Sequence, residues 1–263
     1  MSSAKDIFIK PITMSAARSI VKKIHYSGKV TNSQLHFGIF LNNKLEGALQ
    51  FGPSIDKRKT AGLVKGSLWS EFIELNRMAL SDALPKNSES RSLSICIKLI
   101  KKHYPQIKWI ISFSDGAQCG DGTIYRASGF DLTGIKKNTQ MLRMPDGSIV
   151  AKKTLDSGLS KGGVFGSKIA REQGAAPLTG YQLRYVYFID KSYRERLTVP
   201  VLPFGDIDKK GAGMYKGKAI SIQERKRVNE ANSSDQLESG GATPTYTLQS
   251  KEKPKELKQE RLP

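Results

Sequence analysis

Cysteine is scarce in this sequence of 263 residues, which contains only Cys96 and Cys119. Two thiols can form neither a disulfide framework nor a four-thiolate zinc site, which excludes small disulfide-rich scaffolds and cysteine-only zinc domains. No apolar run approaches the roughly 20 residues that a membrane span needs, and the N-terminus lacks the apolar core of a secretory signal. We therefore expect a cytoplasmic protein with no membrane partner.

Motifs of several common enzyme classes are also absent. The sequence contains no serine-hydrolase elbow, no Walker phosphate loop and no helical His-Glu-x-x-His pattern. Its three histidines are His25, His36 and His103. A two-histidine, one-carboxylate iron site would need His36 to turn from its strand toward Asp115.

Acidic residues are few relative to basic ones, with 24 Asp and Glu against 43 Lys and Arg and a formal net charge of +19. Phosphates bind Lys and Arg largely through the release of counterions, so this excess favours a polyanionic partner. Residues 209–227 contain seven Lys or Arg and one Glu, whereas residues 229–263 have few large apolar side chains. We therefore predict a folded domain at 1–195, a basic extension at 196–228 and a disordered tail at 229–263.

Apolar periodicity predicts alternating strands and helices in the first 195 residues. Residues 71–113 have the pattern strand, loop, helix, strand, which indicates a right-handed βαβ unit with its ligand site at the carboxyl ends of the strands. Residues 107–113 are apolar enough for a strand buried on both faces, and residues 53–66 look like a loop. The other predicted elements are a strand at 7–9, a helix at 17–24, a hairpin at 35–51 turning at 42–44, a short helix at 123–127, a hairpin turning at 145–147 and a strand at 181–189.

The loop before the predicted helix could bind phosphate. Asn87 or Ser88 is the expected N-cap, and the free N–H groups of a first helical turn attract anions. Because the loop is not rich in glycine, an ordinary capped helix is the alternative. The candidate phosphate-binding residues are Lys86, Asn87, Ser88, Ser90 and Arg91.

Arg77 lies near the centre of a predicted interior strand, where a buried cation must be paired. It could form a structural ion pair with Glu71 or Glu74, or it could orient an anionic substrate or a catalytic carboxylate. The sequence leaves both alternatives open.

Asp115 ends the most apolar strand and is followed by Gly116. It could form a turn by bonding its own backbone, or act as a general base or metal ligand. Tyr125 could be a core aromatic or a phenol acid. His25 and Tyr26 lie next to a predicted turn, and each could likewise have a structural role or a role in binding or catalysis.

The order of elements resembles the acyltransferase fold of the histone and aminoglycoside N-acetyltransferases. We therefore predict an α/β (α+β) fold with a mixed central sheet, flanking helices and a βαβ coenzyme-binding unit. Residues 122–130 look like the Tyr-x-x-x-Gly-Phe element of that superfamily. More narrowly, five ordered segments resemble the bacteriophage Mom family: His25-Tyr26-Ser27, Glu74–Arg77, Pro85–Arg91, Ser112–Gly116 and Gly122–Tyr125.

This resemblance implies an enzyme that converts adenine to N6-carbamoylmethyladenine in double-stranded phage DNA and so hides restriction sites from the host. It also implies acetyl-CoA as the coenzyme, although residues 86–91 replace the usual Arg/Gln-x-x-Gly-x-Gly signature. Simple acetyl transfer would leave an amide on N6 rather than a CH2 carbon. The product therefore requires further chemistry, for which iron is our hypothesis.

The resemblance places five residues in the cleft. Asp115 would be a base or an iron ligand, Tyr125 an acid or a coenzyme contact, and Arg77 an orienting cation. His25 or Tyr26 would be a metal ligand, for which we name His25, or a platform for an adenine extruded from the duplex. The predicted contacts to the DNA backbone are Lys57, Arg58, Lys59, Lys209, Lys210, Lys216, Lys218, Arg225, Lys226 and Arg227.

Two other functions fit the same sequence. One is an acetyl-CoA-dependent acetyltransferase that acts on a small amine or a protein. The other is a basic DNA-binding protein without catalysis, whose binding would depend strongly on salt.

Overall fold

The computed structural model describes residues 3–157, 166–215 and 218–220, together with Glu224 and Arg227. The predicted DNA contacts Lys216, Arg225 and Lys226 lie outside the described residues, as do the side chain of Lys218 and the predicted tail. The chain divides into the units Met1–Ile222 and Gln223–Pro263, and the fold below is that of the first. No helix in the described ranges is both long and apolar enough to span a membrane.

The first unit contains helices and strands in the alternating order that the sequence predicts. Short 3-10 helices lie at Ala4–Asp6 and Lys191–Arg196. In chain order the other elements are β1 (Phe8–Pro11), α1 (Met14–Ile24), β2 (Leu35–Leu41), β3 (Lys44–Gly52), α2 (Lys57–Ala61), β4 (Phe72–Leu80), α3 (Ser88–His103), β5 (Trp109–Asp115), α4 (Thr123–Ala127), β6 (Asp131–Lys137), β7 (Met141–Arg143), β8 (Ile149–Ala151), α5 (Lys152–Asp156), α6 (Gly166–Glu172), β9 (Ala176–Pro177), β10 (Tyr181–Phe188), α7 (Gly205–Lys209), β11 (Met214–Tyr215) and β12 (Lys218–Ala219).

A seven-stranded sheet in the order β1-β2-β3-β4-β5-β10-β6 forms the centre of the fold. Its neighbouring strands are antiparallel except for β4 and β5, which are parallel and are joined through α3. The mixed sheet, the flanking helices and the βαβ unit of the predicted N-acetyltransferase-like fold are confirmed. Smaller sheets are formed by β8-β7-β9 and by β11-β12.

Local sequence explains most of these elements. The turn between β2 and β3 uses Asn42 and Asn43 at φ 48° and 61°, a left-handed conformation that asparagine tolerates. Thr13 caps α1 by accepting a hydrogen bond from the backbone N–H of Ala16 at 3.3 Å. The prediction that residues 53–66 form only a loop is wrong, because the segment contains α2. The side chain of Asp56 caps this helix by accepting from Lys59 N at 3.0 Å.

Apolar side chains cover both faces of the sheet. Helix α3 contributes Leu93 and Ile100, both fully buried, to the larger core. On the other face, Trp109 and Ile111 of β5 pack with β10 and with Val64 in a second core. The indole N–H of Trp109 donates to Ser67 Oγ at 2.8 Å.

Strand β5 departs from its predicted burial at one position. Residues 109–112 are buried, as expected for a strand covered on both faces, but the side chain of Phe113 is 46% exposed. The second core reaches Ile111 and leaves the carboxyl end of the strand uncovered on that face.

The packed domain extends beyond its predicted end near residue 195. The backbone N–H of Leu202 donates to Leu132 O at 2.8 Å, and Ile207 is completely buried in the larger core. The backbone N–H of Met214 donates to a carboxylate oxygen of Asp121 at 3.0 Å, and the Met214 carbonyl accepts from Asp121 N. Apolar residues spaced through this basic segment explain why it packs on the sheet.

Replacement of Ile207 tests whether this segment stabilises the domain. Ile207→Ala should lower the free energy of unfolding by about 2–4 kcal/mol, because it leaves a cavity in a closed core. The control, Ile55→Ala, removes a side chain that is 72% exposed and should change stability little. Denaturant unfolding would measure both variants. Equal stability of the two would contradict the packing of residues 197–214 on the sheet.

Candidate active site

A cleft opens where the two parallel strands separate. Strands β4 and β5 pair only over Phe72–Glu74 and Trp109–Ile111. Beyond these residues β4 continues beside β3, and β5 continues beside β10. The cleft therefore lies at the carboxyl ends of the parallel strands, where the sequence predicts a ligand site.

Asp115 stands at the end of β5 and organises the following loop. Its Oδ1 accepts a hydrogen bond from Ala117 N at 3.1 Å, and its Oδ2 accepts from the amide of Gln118 at 2.8 Å. Its backbone carbonyl accepts from Cys119 N at 2.8 Å. Asp115 thus forms the turn that was one of its two predicted roles, and its carboxylate lies beside the cleft.

Tyr26 reaches the same place from the end of α1. Its hydroxyl lies beside the thiol of Cys119. Although the residue is 51% exposed, loss of solvent around its hydroxyl, and then the negative charge of Asp115, raise the pKa of the Tyr26 phenol. The same two causes raise the pKa of Cys119 to about 12. Both groups are therefore protonated at neutral pH.

Tyr125 lies on α4 and approaches the cleft from within the core. Its ring packs against those of Tyr185 and Phe130, with centroids 5.1 and 5.5 Å away. Burial raises the pKa of the Tyr125 phenol, and the neighbouring Cys119 and Glu74 raise it further. Tyr125 is thus a protonated phenol as well as a core aromatic.

Arg77 is held by backbone carbonyls. Its Nε donates to Lys29 O at 2.9 Å, and its Nη1 donates to Asn76 O at 2.6 Å. The predicted pair with Glu71 is not formed, because Glu71 accepts from Leu68 N and from the hydroxyl of Tyr193, each at 2.8 Å. This anchoring fixes the guanidinium beside Tyr26 and His25, where it provides the positive charge of the cleft.

Glu74 is a second carboxyl group at the cleft. Burial raises its pKa, while hydrogen bonds from Ser54 and Asn76 and the charge of Arg77 act in the opposite direction. Because Ser54 also bonds to Thr60 of α2, at 2.8 Å, Glu74 connects the cleft to that basic helix.

His25 does not fit the predicted iron site. Its Nδ1 accepts from Ser27 N at 3.2 Å and lies 2.9 Å from Ser27 Oγ. Burial, and then the charge of Arg77, lower the pKa of His25 to about 4. Among the described residues no group of three or more His, Cys, Asp or Glu side chains could hold a metal ion. With His25 bonded to the turn and Asp115 bonded to its loop, iron ligation by these two residues is unsupported.

The N-terminus of α3 has features of an anion site. Asn87 precedes the helix at φ 68°, which confirms the predicted position of the N-cap. Its side chain makes no capping hydrogen bond. The hydroxyls of Ser88 and Ser92 are buried and have no hydrogen-bond partner among the described residues. Ser90 Oγ donates to Asn87 O at 3.3 Å, and Lys86 and Arg91 are exposed.

The predicted DNA contacts that the structure describes lie on the surface. Lys57, Arg58 and Lys59 are exposed on α2, with the Lys57 ammonium 5.9 Å from the ring centroid of Trp69. Lys209, at the end of α7, is exposed and lies 3.4 Å from a carboxylate oxygen of Asp206. Lys210 follows it and is also exposed, as is Arg227 in the second unit.

The cleft thus brings together the five residues singled out in the sequence and adds Cys119, Glu74 and Ser112. The Ser112 hydroxyl lies beside the phenol of Tyr125 and opposes part of the rise in its pKa. A usable signal for Cys119 was its position four residues after Asp115, in the loop expected at the ligand edge of the sheet. Ser112 stood within a recognised segment without an assigned role, and Glu74 was considered only as an ion-pair partner of Arg77.

Several solved acetyltransferase structures are similar to this chain. An IAA acetyltransferase from Bacillus cereus is 11% identical with a TM-score of 0.41, the match covering 70% of this chain and 99% of the other. A GNAT family acetyltransferase from Elizabethkingia anophelis, with acetyl-CoA bound, is 13% identical with a TM-score of 0.39 and the same coverage.

Closer similarity is found among sequences. The Methylcarbamoylase mom of Escherichia phage Mu is 34% identical over 197 residues, which cover 74% of this chain and 80% of the relative. The model of the Mom protein family matches residues 6–206, a range that includes every described cleft residue. The chain therefore belongs to the Mom protein family.

Proposed function

We propose that this protein is a transferase that modifies adenine in double-stranded DNA to N6-carbamoylmethyladenine. The observation that carries the proposal is the meeting of Tyr26, Arg77, Asp115 and Tyr125, which come from separate parts of the chain, at the cleft between β4 and β5. The name of the phage Mu relative supports a transferred unit of this composition, because a methylcarbamoyl group and the carbamoylmethyl group of this product are isomers.

The protonation states of the cleft support distinct roles for its residues. The exocyclic amine of adenine must lose a proton when N6 forms a bond to carbon. Asp115 would accept that proton, since each carboxylate oxygen can take a hydrogen bond beyond the one it receives from the loop. Tyr125 would donate a hydrogen bond or a proton to the leaving group, because burial keeps its phenol protonated. Arg77 would orient a polar group of the substrate.

Acetyl-CoA is the coenzyme we propose, and the residues at the start of α3 fit its pyrophosphate. Ser88, buried and without a partner in the described part of the chain, lies in the first helical turn, where backbone N–H groups attract phosphate. Ser90, Asn87, Lys86 and Arg91 would complete the site. When bound, the coenzyme would supply a two-carbon acetyl unit. Conversion of this unit to the carbamoylmethyl group would also need an ammonia-level nitrogen donor, which displaces the coenzyme thiol, and a two-electron oxidant, because a methyl C–H bond is replaced by the bond to N6.

Double-stranded DNA is the proposed partner, and the net charge of +19 supports it. Adenine N6 is engaged in base pairing, so the target base must leave the duplex, at a cost of a few kcal/mol. Lys57, Arg58 and Lys59 would hold the phosphate backbone at the side of the cleft that Glu74 and Ser54 connect to α2.

Mass spectrometry of nucleosides from plasmid DNA of expressing bacteria tests the reaction. The unaltered protein should produce deoxyadenosine with a carbamoylmethyl group. Asp115→Asn, which removes the base but keeps an acceptor for the loop, should reduce this product by about 100-fold or more. Asp146→Asn is the control, because Asp146 caps a remote turn through Ser148 N at 2.9 Å.

Three results would contradict the assignment. Full modification by the Asp115→Asn protein would remove Asp115 from the chemistry. An acetyl group in place of the carbamoylmethyl group would favour an acetyltransferase. Unmodified nucleosides would favour the DNA-binding protein without catalysis, if DNA binding also depends on salt and is unchanged in the Asp115→Asn protein.

Removal of one hydroxyl group tests the role of Tyr125. Tyr125→Phe preserves ring packing and should cost no more than about 1.5 kcal/mol of stability, while the yield of modified adenine falls at least about tenfold. Tyr187→Phe is the matched control, because Tyr187 also packs on Phe130, at 5.2 Å. The same nucleoside analysis and a thermal melt would measure both effects. A yield equal to that of the Tyr187→Phe protein would limit Tyr125 to packing.

The hydrogen bond that Ser27 N donates to Nδ1 requires a neutral His25. With a folded pKa of about 4 and an unfolded value near 6.5, the unfolded chain binds more protons between these values. Stability should therefore fall as pH decreases from about 6.5 to 4, by about 2 kcal/mol after allowance for the partial exposure of the ring. Thermal unfolding at several pH values should show a weaker dependence in His25→Gln. An identical dependence in the two proteins would place the His25 pKa near its ordinary value.

A further inference from the structure

Phe113 is an exposed aromatic ring in the middle of the active-site strand. Its neighbours Ser112 and Ser114 are buried, whereas its own side chain is 46% exposed. Among the described residues no other aromatic ring packs against it. Burying a phenylalanine normally stabilises a fold by about 1.5–3 kcal/mol. The exposed Phe113 therefore contributes less than this to the stability of the fold.

The register of the sheet places Phe113 on the same face as Asp115. Residues two apart on a strand point to the same side and lie about 6.6–7 Å apart. Across the ladder, Phe113 pairs with Arg184 and Asp115 pairs with Gln182. The second core ends at Ile111, so this part of the face is open next to the proposed base.

The chemistry of this open patch suits one nucleotide. Phe113 offers an apolar ring face, on which a purine can stack. Arg184, its cross-strand partner, is held by Thr133 through bonds of 3.0 and 2.7 Å and brings a positive charge suited to a phosphate. A base resting on Phe113 would present its edge toward Asp115.

Tyr26, the other exposed aromatic at the cleft, is less available as a platform. Its ring already packs on His25, with the centroids 4.3 Å apart, and its hydroxyl lies beside the thiol of Cys119. These contacts restrain the ring at the wall of the cleft. Phe113 has neither restraint.

We propose that Phe113 is the platform on which the extruded adenine stacks. Its ring would recover part of the free energy lost when the base leaves the duplex and would hold the N6 edge beside Asp115. The inference rests on the proposed function in taking adenine as the base that enters the cleft. It assigns to Phe113 the stacking role that the family resemblance implies for His25 or Tyr26.

A tryptophan at this position reports stacking without any turnover. Purified Phe113→Trp protein should lose fluorescence when single-stranded oligodeoxyadenylate is added, beyond the change seen for the unaltered protein with its own Trp69 and Trp109. An abasic oligonucleotide of the same length supplies the phosphates without the bases and should not cause this loss. Phe8→Trp is the control, because Phe8 is 55% exposed on the edge strand β1.

The yield of modified adenine in plasmid DNA provides the second measurement. Phe113→Leu keeps an apolar side chain but cannot stack, and it should reduce the yield about tenfold. Phe113→Tyr and Phe113→Trp should restore most of the yield, and Phe8→Leu should match the unaltered protein. Thermal melts of the purified variants would show that each one is folded.

The outcomes separate this inference from the proposed function. Base-dependent quenching in Phe113→Trp, with no modified adenine from the unaltered protein, would support the platform and contradict the reaction. Modified adenine in equal yield from Phe113→Leu and Phe113→Trp would support the reaction and overturn the platform. Equal quenching by the abasic oligonucleotide, or none, would also overturn it.

Discussion

The short pairing of β4 with β5 is the constraint on which the site depends. These strands share only three residue pairs, Phe72–Trp109 to Glu74–Ile111, before they separate. Each strand keeps a ladder on its outer side, with β3 or β10, so the separation leaves the sheet intact. The inner edges then carry backbone groups that need other partners, and a bound ligand can supply them.

Burial at this opening sets the protonation of the side chains around it. The phenols of Tyr26 and Tyr125 and the thiol of Cys119 have raised pKa values, with the charge of Asp115 adding to the first and the third. His25 is held neutral by burial and by Arg77. The cleft thus places neutral phenol and thiol groups, which can donate hydrogen bonds, beside the carboxylate and the nearby Arg77 cation. This arrangement suits a substrate amine that must give up a proton.

The sequence predicts those features that depend on local chemistry. Asn42 and Asn43 determine a tight turn by themselves, and apolar spacing shows the βαβ unit because neighbouring residues of each element share its pattern. The partner of Arg77 could not be inferred, since Lys29 O is a backbone carbonyl 48 residues away. The exposure of Phe113 was equally hidden, because a dense apolar run does not show where the covering layer ends.

The segment after residue 195 completes the loop that presents Cys119 and Tyr125. Asp121 is 1% exposed and is fixed from both sides, by the backbone of Met214 and by the hydroxyl of Tyr185, which donates to Asp121 O. Gly122 follows at φ 88°, and a Cβ there would clash with the Tyr185 ring. Because α4 begins at the next residue, these contacts set the position of the Tyr125 phenol. The basic C-terminal segment is therefore tied to the geometry of the cleft as well as to the charge of the surface.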